Sequence, residues 1–61
     1  MMEFILVMCL ASDPTACQTF KGIGDTCQSA MYDVKTQLEP MREQLAADKR
    51  PYLVTTSCFP K

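Results

Sequence analysis

Histidine is absent from this 61-residue chain. That omission removes the commonest general base, the commonest metal ligand and the usual activator of a serine or cysteine nucleophile. A catalytic dyad would have to use Cys, Asp, Glu, Lys or Tyr, and none of these is paired at a telling spacing. Close cysteine pairs are missing too: there is neither the C-x2-C of a zinc site nor a redox C-x-x-C. Basic charge is sparse, with six scattered Lys and Arg and a formal net charge of −1, so no patch suits nucleic acid or an anionic membrane. Glycine is scarce. Gly22-Ile23-Gly24 could open a phosphate-binding loop, but no third glycine or Lys-Ser/Thr follows, and the plainer reading is a flexible turn. No apolar run approaches the ~20 residues of a membrane span. The chain therefore reads as non-enzymatic, with no cofactor, no metal, no nucleic-acid partner and no membrane span.

What is present is a short chain with four cysteines. Ordering 61 residues costs roughly 90 kcal/mol at about 1.5 kcal/mol each, so a single domain of this size needs a staple or a partner. Cys9, Cys17, Cys27 and Cys58 each fall where an element starts or ends, the place expected of staples rather than of buried thiols.

The longest element is predicted at 25–49 as a helix. Cys27, Met31, Val34, Leu38, Met41 and Leu45 form one apolar stripe at about 100° per residue, with Asp33, Thr36 and Glu43 opposite. Asp25 is the expected N-cap, with Gln28 three residues on, and Pro51 stops the helix. Pro40 lies on the solvent side of the stripe, which favours a continuous helix bent there; the alternative is two helices meeting near Glu39.

Residues 3–10 read as a strand, apolar on both faces and closed by Ser12-Asp13-Pro14. With no Lys or Arg ahead of the run and Glu3 inside it, no signal peptide is read. Residues 11–24 form either a loop or an edge strand paired back on the first. Residues 52–59, rich in Val and Thr, form the last strand, which a crossover through the helix would set parallel to the first. The predicted fold is α+β: one long bent helix on a two- or three-stranded sheet, in the order β-(β)-α-β.

Geometry favours Cys27 with Cys58 and Cys9 with Cys17. The alternative joins Cys9 to Cys58 and Cys17 to Cys27, and sequence alone does not decide between them. With Ile5, Val7 and Cys9 turned to the helix, Phe4, Leu6, Met8, Leu10 and Leu53 would point away and form the candidate interface, unless 11–24 folds over them. The implied partner is a second copy or a larger structural protein, within an oligomer or assembly.

Several short stretches carry a resemblance. An apolar strand ends in Cys9-Leu10-Ala11, and Asp13-Pro14 and Cys17 follow. Cys27 opens a helix with a central Pro40, and Pro51-Tyr52-Leu53-Val54 leads a strand that bears Cys58. This pattern resembles small uncharacterised four-cysteine proteins of alphaproteobacteria and their phages. Those proteins often have Trp near the helix end and in the last strand, where this chain has Leu45 and Leu53 or Val54. The resemblance implies no activity. It implies a structural role, in its sharpest form a virion decoration, neck or tail protein. The competing expectations are a small secreted or periplasmic binding or inhibitor protein and, third, an enzyme built on one activated cysteine.

Overall fold

The computed structural model describes the backbone of residues 1–61 and every side chain except those of Leu45 and Ala46. Three strands, β1 (Met2–Leu10), β2 (Asp13–Gly24) and β3 (Tyr52–Pro60), form an antiparallel sheet in the order β2-β1-β3. Between β2 and β3 run helix α1 (Cys27–Leu38), a 3-10 turn (Glu39–Met41) and a short helix α2 (Arg42–Ala47). The fold is α+β, and residues 13–24 take the edge-strand alternative.

The last strand pairs antiparallel with β1, not parallel to it. The reason is that β2 is a full strand, so the helical crossover leaves from β2 and not from β1. β2 and β3 both run against β1, which makes them parallel to each other with β1 inserted between them, a split β-α-β arrangement.

At Pro40 the helical path continues but tightens. Leu38, Glu39, Met41 and Arg42 all keep right-handed helical backbone angles, and the 3-10 turn absorbs the hydrogen bond that proline cannot donate. The helix starts one residue later than expected, because Thr26 rather than Asp25 is the N-cap. Thr26 Oγ1 accepts from the Ser29 N–H at 3.1 Å, and Ser29 Oγ accepts from the Thr26 N–H at 3.0 Å. The reciprocal pair outcompetes an Asp25 cap because it satisfies both ends.

The core is very small. Among the described side chains only Ala30 and Val34 are fully buried, while Met31, Leu38 and Met41 are half-buried and Cys27 is exposed. Leu45, the last residue of the expected stripe, lies outside the described side chains. Ala30 and Val34 are buried because α1 presses directly on two glycines. A Cβ at Gly22 would strike the Ala30 carbonyl and come within 2.8 Å of Val34 Cγ2, and one at Gly24 would strike Ser29. The pair is thus strand backbone made bare for helix contact, not the flexible turn expected.

That contact settles which face the helix covers. Side chains alternate along a strand, so Gly22 and Gly24 share their face with their cross-strand partners Phe4 and Met2, and with Leu6 and Met8 beyond. Cys58, opposite Phe4, is on this face as well, bonded to Cys27. The expected assignment is therefore reversed. Phe4, Leu6, Met8 and Leu10 lie on the helix side and are half-buried, whereas Ile5, Val7 and Cys9 line the open face. The cause is the register, which sets Phe4 beside both Gly22, where the helix rests, and Cys58, which is bonded to that helix.

Both disulfides form, Cys9–Cys17 across the β1–β2 hairpin on the open face and Cys27–Cys58 between α1 and β3. In the chain-entropy picture they contribute about 2.5 and about 3.5 kcal/mol respectively. Two such bonds are compatible with an oxidising environment.

Candidate interaction surface

The molecule is a slab of 34 × 22 × 12 Å with a Cα radius of gyration of 12.3 Å. A compact chain of this length would have a radius of about 10.5 Å. Its accessible surface is 4521 Å², against about 4,000 Å² for a compact monomer of this size. The excess has two sources, the uncovered sheet face and the strand β3.

On the open face, Ile5 and Val7 from β1 stand beside Ile23 of β2 and Leu53 and Phe59 of β3, with Lys21, Thr19, Thr55 and Ser57 among them. Ile23 is 39% exposed, Phe59 39% and Leu53 65%. Leu53 is thus the one expected interface residue that stays outside. Glu3 and Lys61 close one end of this face with a 3.4 Å ion pair.

β3 is the least buried strand. The helix packs on β2 and β1, leaving Val54 54% exposed even on the covered side. Its backbone is equally open. The Ala11 N–H donates to the Pro51 carbonyl at 3.1 Å and the Lys61 N–H to the Met1 carbonyl at 2.9 Å, extending the β1–β3 ladder. In an antiparallel pair the residues that exchange hydrogen bonds alternate with those that do not. The odd-numbered residues of β3 therefore bond to β1, and Tyr52, Val54, Thr56 and Cys58 turn their N–H and C=O outward. Among the described residues, no side chain bonds to this backbone.

β2 is the other edge, and it is guarded where the helix lies beside it, at Lys21 and Ile23, while residues 13–19 are exposed. Asp33 Oδ2 accepts from the outward Ile23 N–H at 3.1 Å, and Gln37 Nε2 donates to the outward Lys21 carbonyl at 2.7 Å. Lys21 adds a charge in mid-edge, and the register breaks between Cys9 and Leu10, opposite Pro14-Thr15-Ala16. Side-chain caps, an edge lysine and an irregular end are recognised ways of stopping one sheet from adding to another.

No family model, curated protein or solved structure matches this chain.

The titratable groups that depart from their ordinary behaviour are at strand starts, and two of them, Arg50 and Tyr52, line an open hollow with Met8, Leu10 and Gln18. Asp48 accepts from Arg50 Nε at 2.8 Å, from Arg50 Nη2 at 2.7 Å and from the Tyr52 hydroxyl at 2.6 Å. The Arg50 guanidinium first, then Tyr52, hold its carboxyl well below the usual carboxylate range, and the same bond raises the Tyr52 hydroxyl. At the start of β2, Thr15 lowers Asp13 in the same way through its hydroxyl and N–H. Both are turn-forming carboxylates. Among the described residues no three metal-ligating side chains converge and no buried side-chain N or O lacks a partner. Among the described residues, no helix is long and apolar enough to cross a membrane.

The guarding of β2 by Asp33 and Gln37 escapes a sequence reading, because both look like ordinary solvent-face helix residues. The outward set on β3 was legible in principle: a nine-residue strand without a single charged side chain is unusual for an exposed edge.

Proposed function

We propose that this protein is a non-enzymatic structural module, a disulfide-stapled component that works by packing into a larger protein assembly. The observation that carries the reading is the sheet itself: one face under a helix, the other open with Ile5, Val7, Ile23, Leu53 and Phe59 upon it. An open sheet face that exposes several large apolar side chains among polar ones, on a small protein, is suited to an interface. With two fully buried side chains among those described, the chain also has little core of its own, so burial against a partner adds stability that the fold lacks. The resemblance to four-cysteine proteins of phages makes a virion decoration, neck or tail protein the sharpest form of this reading.

Native mass spectrometry of the protein isolated unreduced from its source tests it. The expected result is a high-mass complex in which each chain lacks the hydrogens of two disulfides. A chain that stays a lone monomer in its source and at every attainable concentration would overturn the reading. Ile23→Lys, placed on the open face and far from β3, is expected to leave the fold intact and weaken the complex wherever that face is in contact.

The two disulfides favour one alternative, a secreted or periplasmic binding protein. Fractionation separates the two: export to an extracellular or periplasmic fraction as a free chain supports the alternative, and co-sedimentation with a particle supports the assembly.

A further inference from the structure

From the asymmetry of the two sheet edges we infer that β3 is a pairing strand, and that its partner is β3 of a second copy, antiparallel about a two-fold axis through Thr56. The inference rests on the assembly reading above and names its first contact.

Three observations point to a second copy. The first is register. A dyad at Thr56 sets Thr56 against itself, Val54 against Cys58 of the other chain and Tyr52 against Pro60, so every outward N–H of β3 meets an outward carbonyl. Pro60, which has no N–H to give, falls at the frayed end, where an edge strand tolerates proline. The second is side-chain complementarity. The same dyad brings Leu53 beside Phe59 on the open face, both substantially exposed, and Thr55 beside Ser57. An aliphatic–aromatic pair and a hydroxyl pair are favourable cross-strand neighbours.

The third is charge. β3 carries no charged residue, so nothing of like sign is opposed across the dyad. The cations nearest its ends, Arg50 and Lys61, are already paired with Asp48 at 2.7 Å and Glu3 at 3.4 Å. The product is a continuous six-stranded sheet in which the two β2 edges, capped at Lys21 and Ile23 and carrying the Lys21 charge, lie outermost. A closed two-fold contact of this kind is the commonest form of homo-oligomer.

The test follows amide hydrogen exchange of the oxidised, full-length protein across a dilution series, alongside its mass by light scattering. A dimer is expected in which the Val54, Thr56 and Cys58 amides slow about tenfold once most chains are paired. The Thr55 and Ser57 amides, already bonded to β1, are expected not to change with concentration. Thr56→Pro removes the N–H at the dyad without removing a bond to β1, and is expected to give a folded monomer. Thr56→Lys, which opposes two like charges there, checks the result with a variant that asks nothing of the backbone.

A dimer that survives both substitutions with those amides still exchanging fast would overturn the β3 pairing, place the contact on the open face and leave the assembly reading standing. Protection of the same amides only in the presence of a different protein would overturn the second copy as occupant, again sparing that reading. A monomer with no partner under any condition would overturn both.

Discussion

The two edge strands of this sheet have the same neighbour and opposite treatment. β2 lies under the helix over its last five residues, gives up side chains at Gly22 and Gly24 to receive it, and has outward groups of Lys21 and Ile23 taken by Gln37 and Asp33. β3 is tied to β1 by its ladder, to the helix by the Cys27–Cys58 bond and at its start to Asp48 through Tyr52, and has no side-chain partner along its outward backbone. An unpaired edge is a standing invitation to another strand, and proteins that gain nothing from it cover it. Here one helix covers one edge while leaving the other open, so the open edge is the informative one.

The largest break in the comparison is to cut β3 loose. Replacing Cys27 and Cys58 together by Ser is expected to remove about 3.5 kcal/mol, against about 2.5 kcal/mol for Cys9 and Cys17. A domain this small has only a few kcal/mol to lose. Urea unfolding followed by circular dichroism should find the first variant unfolded or nearly so and the second still folded. The reverse order would mean that β3 is held chiefly by β1 and by packing.

Next in size is a single methyl on the guarded edge. Gly22→Ala drives a Cβ into the Ala30 carbonyl and Val34, and overpacking of this kind costs about 1–3 kcal/mol. Val54→Ala, at an exposed position of the other edge strand, is expected to change stability by less than about 0.5 kcal/mol. Equal shifts of the two urea midpoints would contradict the claim that the helix seals one strand and not the other.

A smaller stability effect carries a sharper consequence. Removing the caps with Asp33→Ala and Gln37→Ala should cost about 1 kcal/mol for each hydrogen bond. It also frees the backbone of Lys21 and Ile23, giving each chain two open edges. Light scattering is then expected to show species larger than those of the unaltered protein. Unchanged size would mean that the edge lysine and the irregular end near Pro14 suffice by themselves.

Much of this architecture was legible in the residues. The apolar spacing of Met31, Val34 and Leu38 marks the helix, the β-branched runs mark the strands, and cysteines at element boundaries mark the staples. The facing of the sheet was not legible, because β1 is apolar at every position from Phe4 to Val7 and alternation gives no signal there. The decisive clue was Gly22 and Gly24. Glycine reads as a turn in isolation and becomes a contact surface only when a helix is known to lie over it. The reversal of Phe4 and Leu6 against Ile5 and Val7 follows directly from that ambiguity. The guard residues were hidden for a related reason: Asp33 and Gln37 are polar on the polar side of a helix, and only the position of β2's edge makes them caps.

The smallest expected effect concerns the strand starts, where the two edges are alike. Asp13 begins β2 and Asp48 precedes β3, each accepting hydrogen bonds from residues just beyond it. Both carboxyls are held low, Asp48 the more strongly, through Arg50 and then Tyr52. A carboxylate whose folded pKa is depressed stabilises the fold above its unfolded value, about 3.9, and that contribution is lost as pH falls toward the folded value. The raised Tyr52 hydroxyl acts at the other end, its contribution present below about pH 10 and lost as pH rises above it. Urea midpoints measured from pH 7 downward should therefore stay level to about pH 4 and then decline. Asp48→Asn should shallow that acid decline more than Asp13→Asn, since Asp48 fastens an edge strand that has no side-chain caps along its length. If Asp13→Asn proves the larger, the start of β2 is the more tightly held, and the polar fastening of β3 contributes less than its short hydrogen bonds imply.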